Sequence, residues 1–194
     1  MITLPPLTLI TGGARSGKSA YAERLARASG LQRRYLATGQ AFDSEMATRI
    51  EQHRRDRGEG WQLLETPLDV APALASAAPD SVTLFDCATL WLSNQLFAGR
   101  DLAHEAGALI GALAASPGPV ILVTNELGQG IVPGDALSRQ FRDEQGRLNQ
   151  RLGQAAGLVI AVMCGLPLAL KGPLPVLPEL PVLPELPGLA ESGR

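Results

Sequence analysis

Residues Gly12-Gly13-Ala14-Arg15-Ser16-Gly17-Lys18-Ser19 satisfy the pattern G-x-x-x-x-G-K-[ST], a spacing with a mechanism behind it. Glycines let consecutive backbone N–H groups turn inward around phosphate oxygens, and a helix starting at the end of the motif directs its positive end to the same anion. In that arrangement Lys18 reaches the β and γ phosphates and Ser19 is a ligand for Mg²⁺. Asp86, which closes the apolar run SVTLFD, is the natural second carboxylate for the metal, directly or through water. The competing reading of Asp86 is a cap for the helix that follows it. Glu65 ends the shorter run QLLET and carries less weight, because isolated glutamates are common on surfaces.

The second candidate is a histidine. The chain has two, His53 and His104. His53 lies in RIEQHRRDR, among charges that read as an ordinary solvated helix face, and Met46, Ile50 and His53 fall at i, i+4 and i+7, which puts the imidazole beside apolar residues. Attack on a phosphorus needs a neutral ring, and an unperturbed imidazole with a pKa near ~6.5 is mostly neutral at cytoplasmic pH. A helix C-terminus and a nearby triphosphate favour the imidazolium. Arg54, Arg55 and Arg57 oppose that and supply donors for phosphate charge. His104, in LAHEAGALIG, has no neighbouring chemistry.

These residues need strands to end together. TLPPLTLI, RRYLATG, QLLET, SVTLFD, PVILVTNE and LVIAVMC read as strands. Between them AYAERLARA, FDSEMATRIEQHRRDRGEG, DVAPALASAA, LWLSNQLFAG, LAHEAGALIGALAAS and ALSRQFRDEQGRLNQRLGQAA read as helices, the second with Asp43 or Ser44 as its cap and Gly58 as its stop. Apolar strands alternating with helices predict an α/β fold with a mostly parallel sheet covered on both faces. Thr38, Asp86, Thr124, Asn125 and Glu126 collect where strands end, the edge at which such sheets bind ligands.

The 194 residues are enough for one domain. We place it at 1–172, followed by a proline-rich extension at 173–194 that contains PVLPEL in tandem and is expected to be polyproline II or disordered. The formal charge of -2, from 17 basic and 19 acidic residues, leaves no global field for nucleic acid or an anionic membrane. No stretch approaches the roughly 20 apolar residues of a membrane span, and the N-terminus reads as a first strand rather than a leader. Cys87 and Cys164 are isolated in apolar stretches, away from any metal-ligand spacing. They are expected to be buried free thiols of a cytoplasmic protein.

ITGGARSGKSAYAE, YLATG, DSEMATRIEQHRRDR, VTNELGQGIVP, FRDEQGRLNQRLG and CGLPLALK together resemble the bifunctional adenosylcobinamide kinase and adenosylcobinamide-phosphate guanylyltransferase family of cobalamin biosynthesis. The likeness runs from about residue 7 to Lys171 and leaves out the proline-rich tail. It implies a P-loop NTPase fold of the RecA-like kind and two reactions. ATP or GTP phosphorylates the aminopropanol hydroxyl of adenosylcobinamide, and GMP from GTP is then transferred to that phosphate through a GMP-histidine intermediate. Carried over, the resemblance makes His53 the GMP carrier. It assigns triphosphate contacts to Gly12 through Ser19, to Thr38, Gly39 and Gln40, to Arg54, Arg55, Asp56 and Arg57, and to Glu65 and Asp86. It also implies a homo-oligomer, a trimer. Some relatives carry a second histidine beside the catalytic one, where this chain has Gln52, and Glu where it has Asp86.

The two steps attack different phosphorus atoms, which predicts movement of the His53 helix relative to the phosphate loop. VTNELGQGIVP has the form of a loop that closes over substrate, with Glu126 a candidate to orient the acceptor hydroxyl. Phe141, Arg142, Asp143 and Asn149 read equally well as packing with surface charge. Two alternatives follow from the loop alone: a kinase for another small alcohol, and a GTP-binding switch, against which the missing N-K-x-D counts.

Overall fold

The computed structural model describes residues 1–40 and 44–177, and of 45–47, 49, 50 and 56 the backbone alone. The expected Asp43 cap, the side chains of Met46, Ile50 and Asp56, and the tail from 178 onward lie outside the described residues.

The six apolar runs form strands: β1 (Leu7–Gly12), β2 (Gln32–Ala37), β3 (Trp61–Glu65), β4 (Ser81–Asp86), β5 (Val120–Asn125) and β6 (Leu158–Met163). Helices α1 (Lys18–Ala28), α2 (Ser44–Arg57), α3 (Ala71–Ala75), α4 (Ala88–Phe97), α5 (Leu102–Ala114) and α6 (Ala136–Ala155) alternate with them. A seventh strand, β7 (Leu166–Lys171), was not expected from the sequence. It turns back antiparallel on β6 at the sheet edge, giving the order β3-β2-β4-β5-β1-β6-β7 with every other pair parallel. Pro167 is tolerated because an edge strand need not donate on its outer side.

Each central strand buries both faces, so alternate residues serve two cores. Leu9, Phe85 and Leu122 pack with Trp91, Leu109 and Leu148 of α4, α5 and α6 on one side. Ile10, Leu84 and Ile121 pack with Tyr21, Ala22 and Leu25 of α1 on the other. At roughly 1.5–3 kcal/mol for each large side chain buried, these layers fix the strand register and therefore the positions at which the strands end. One strand, β5, lies between the phosphate-loop strand β1 and the Asp86 strand β4, the arrangement of the RecA-like P-loop fold.

One expectation is corrected here, and one competing reading falls. Cys87 is buried, but Cys164 is exposed. It sits in the β6–β7 turn with φ 53, followed by Gly165 at φ 77, a pair of left-handed residues that a tight hairpin demands. The cap of α4 is Cys87, whose Sγ accepts from Leu90 N–H at 3.5 Å. Asp86 is thereby left out of the capping role.

Candidate active site

Between β1 and α1 the chain turns at Gly17, with φ 93, and α1 starts with no side-chain cap on its first N–H groups. Orphan donors at a helix start are what an anion needs. At two of its glycines the loop is packed too tightly for a side chain. A Cβ on Gly12 would fall 2.5 Å from Val162 O and 2.6 Å from Ser16 Oγ, and one on Gly17 would fall 3.2 Å from Gly165 Cα. The hairpin braces the loop from behind, since Gly165 N–H donates to Ser16 O at 2.9 Å. Ser16 Oγ is buried with no hydrogen-bond partner among the described residues, a donor suited to a phosphate oxygen. Lys18 Nζ donates to Gly13 O at 3.1 Å, folding back over the loop.

A cavity of about 250 Å³ opens in front of this loop, with Lys18 and Ser19 in its lining. Strand register delivers the opposite wall. Ala37 lies opposite Glu65 of β3 on one side and Asp86 of β4 on the other, and all three line the cavity, as do Tyr35 and Leu63 one row back. From α2 come His53, Arg54 and Arg57, and from the loop after β2 comes Gly39. The structure thus brings the histidine and the phosphate-loop lysine to one cavity, although 35 positions separate them in the chain.

Hydrogen bonds order this wall. Tyr35 O–H donates to Asp86 Oδ2 at 3.1 Å. Burial, reinforced by the Asp86 charge, holds the Tyr35 hydroxyl far above its usual range, so it remains a donor. Arg57 is buried and stacks 3.5 Å over the Tyr35 ring, while its carbonyl accepts from Arg27 Nη2. Arg54 and Arg55 both bond Glu51, Arg54 at 2.8 and 3.0 Å and Arg55 at 3.1 Å. Those bonds, Arg54's first, hold the Glu51 carboxyl down at about 2. Such exposed ion pairs are weak and are readily exchanged for a phosphate. Cys87 also lines the cavity, but burial, with Asp86 adding to it, pushes its thiol up to about 12. It is therefore no nucleophile.

Of the contacts beyond the phosphate loop that the resemblance implied, three among the described residues lie outside the lining of this cavity. Thr38 is fully buried, and its Oγ1 donates to Cys87 O at 2.9 Å and accepts from Cys87 N–H at 3.0 Å. It ties β2 to β4 and does not line the cavity. Gln40 and Arg55 are outside the lining as well. Asn149, at 3.0 Å from Asn125 O, accepts from Thr124 Oγ1 and Gln145 Nε2, both at 2.8 Å. This polar knot anchors the end of β5 to α6. His104 is exposed on α5, as expected for a residue without a role. Tyr35 and Leu63 were not foreseen, because register and not local pattern places them in the cavity, whereas Asn125 lines it as its place at the end of a strand led one to expect.

Ser19 and Asp86 fit Mg²⁺: one hydroxyl and one carboxylate facing a phosphate site is the donor set for an ion that keeps several waters and shares substrate oxygens. Among the described residues no group of three or more His, Cys, Asp or Glu side chains gathers to hold a metal by itself. No helix among them is long and apolar enough to cross a membrane.

The sheet order, the loop and its paired carboxylate define a nucleotide-binding protein of the P-loop class. More specifically, the family model for cobinamide kinase / cobinamide phosphate guanyltransferase matches residues 8–170, and the chain belongs to that family. The bifunctional adenosylcobalamin biosynthesis protein CobP of Pseudomonas aeruginosa is 48% identical over 167 residues, covering 84% of this chain and 96% of the relative. The CobU protein of the same description from Escherichia coli is 41% identical over 181 residues, covering 85% and 99%. Among solved structures, a protein from Pyrococcus horikoshii OT3 superposes with a TM-score of 0.53 at 7% identity over 88% of both chains, a likeness of fold alone.

Proposed function

We propose that this protein is a cytoplasmic, trimeric enzyme that phosphorylates the aminopropanol hydroxyl of adenosylcobinamide with ATP or GTP and then transfers GMP from GTP to the new phosphate. The observation that carries this reading is the single cavity that collects Lys18, Ser19 and Asp86 with His53. A histidine at that place supplies the nucleophile that guanylyl transfer needs and direct γ-phosphoryl transfer does not.

In the first step the acceptor oxygen attacks the γ phosphorus, the bond to the β-phosphate oxygen breaks, and the nucleoside diphosphate leaves while the hydroxyl proton is released. The backbone of Gly12 to Gly17 and Lys18 neutralise the oxygens on which charge develops. In the second, an imidazole nitrogen of His53 attacks the α phosphorus of GTP and pyrophosphate leaves. A phosphate oxygen of the acceptor then displaces the histidine, breaking the P–N bond and forming the diphosphate. Arg54 and Arg57 stand beside His53 to hold the α-phosphate oxygens, with Arg54 leaving Glu51 to do so. Ser19 and Asp86 are the residues to hold Mg²⁺, which when bound draws charge from the phosphate oxygens. Attack at two different phosphorus atoms requires α2 to shift against the loop between the steps.

The test is incubation with α-³²P-GTP followed by denaturing electrophoresis. Wild type acquires an acid-labile, alkali-stable label that His53→Ala lacks, while His53→Ala still transfers γ-phosphate to adenosylcobinamide. Equal labelling of the two proteins assigns the nucleophile elsewhere.

A further inference from the structure

Past the end of β5 a second cavity, of about 670 Å³, opens between the 128–132 loop and the outer face of α6. Gly128 and Val132 line it from the loop, and Arg139, Arg142, Gly146 and Arg147 from the helix. It starts three positions beyond Asn125, which lines the nucleotide cavity, and Glu126 N–H between them donates to Gly12 O at 3.2 Å. The loop therefore leads from the phosphate site straight into this groove. We propose that the groove seats the corrinoid acceptor, an inference that rests on the function given above. The arginines donate to the amide carbonyls of the macrocycle's side arms, and the apolar rim lies against the ring.

Size, chemistry and an unexplained glycine support this assignment. A cavity of about 250 Å³ has no room for a macrocycle as well as a triphosphate, so the acceptor must lie on a surface continuous with it. Arg139 donates to Pro133 O and Gly134 O at 3.0 and 2.6 Å, and Arg142 to Gly128 O at 2.6 Å. These are backbone carbonyls, and among the described residues neither guanidinium forms an ion pair. With five N–H donors each, both retain hydrogen-bonding capacity for neutral carbonyl acceptors. Val132, which lines the groove, is 64% exposed, and Ile131 and Leu137 of the same loop and helix are 95% and 49% exposed, apolar surface that the fold itself does not use. Gly146 lies mid-helix, where glycine weakens a helix, yet a Cβ there would meet nothing within 4 Å. No protein atom requires that glycine, and on the groove face its bare backbone leaves room for a flat ligand to approach the helix.

The full-length protein is tested with adenosylcobinamide as the probe, by equilibrium dialysis read from corrinoid absorbance and by its KM in the kinase step. Gly146→Leu, a helix-favouring change into open space, is expected to weaken binding at least tenfold. Arg147→Ala, which removes only a surface pair with Glu144, is expected to weaken it severalfold. Labelling by α-³²P-GTP, which involves no groove residue, stays at the wild-type level in both, and neither unfolds earlier in urea. Wild-type affinity in folded Gly146→Leu overturns the proposal. So does unchanged binding with altered mass by light scattering, which assigns the rim to contact between copies. Failure of the wild type to bind adenosylcobinamide would instead strike the function itself.

Discussion

Thr38 and Cys87 show how single residues set the site without entering the reaction. Thr38 Oγ1 makes two bonds to the Cys87 backbone in a fully buried position, and Thr38→Val keeps the shape while leaving the Cys87 N–H unpaired. The expected loss is about 1–3 kcal/mol, read as a lower urea midpoint, with phosphoryl transfer reduced because Asp86 is the next residue. Cys87 itself couples stability to pH. Its folded thiol is raised to about 12 against about 8.5 unfolded, so the unfolded chain loses the proton first. The stabilisation is complete below about pH 8.5 and drains away as pH rises toward 12. Between pH 8 and 10.5 the wild-type midpoint should fall more than that of Cys87→Ala. In native protein a thiol reagent at pH 8 should titrate one cysteine, Cys164, and in urea two.

At the scale of elements, the knot of Thr124, Gln145, Asn149 and Asn125 holds the end of β5 against α6. Asn149→Ala leaves the Thr124 and Gln145 groups without their shared partner, at a cost of about 1–3 kcal/mol. It should also raise the KM for the acceptor more than that for GTP, since the 126–135 loop springs from this point. Strands β1, β4, β5 and β6 were legible in the sequence because strands buried on both faces are continuous apolar runs, while β2 and the edge strand β3 gave shorter ones. LPLALK was not, since a proline and half-exposed alternation argue against a strand unless it lies at an edge. The phosphate loop and Asp86 were legible for a related reason, as both sit where apolar runs stop. Tyr35 and Leu63 were hidden because their place depends on which strands become neighbours. Cys164 was misread because an apolar context implies burial, whereas a two-residue hairpin turn puts its residues outside.

For the molecule as a whole, the family match ends at residue 170, and Leu177 still packs against the α1-side core. A chain ending at Leu177 should keep its melting temperature and both transfer activities. One ending at Gly165 loses β7, uncovers the edge of β6 and should melt several degrees lower, as checked by calorimetry. The brace between Gly165 and Ser16 has one further use. It places Cys164, the exposed thiol, one residue from the structural support of the phosphate loop. A fluorophore on that sulfur would sit behind the loop and outside the cavity, giving an optical signal of nucleotide arrival and departure in an otherwise unmodified enzyme.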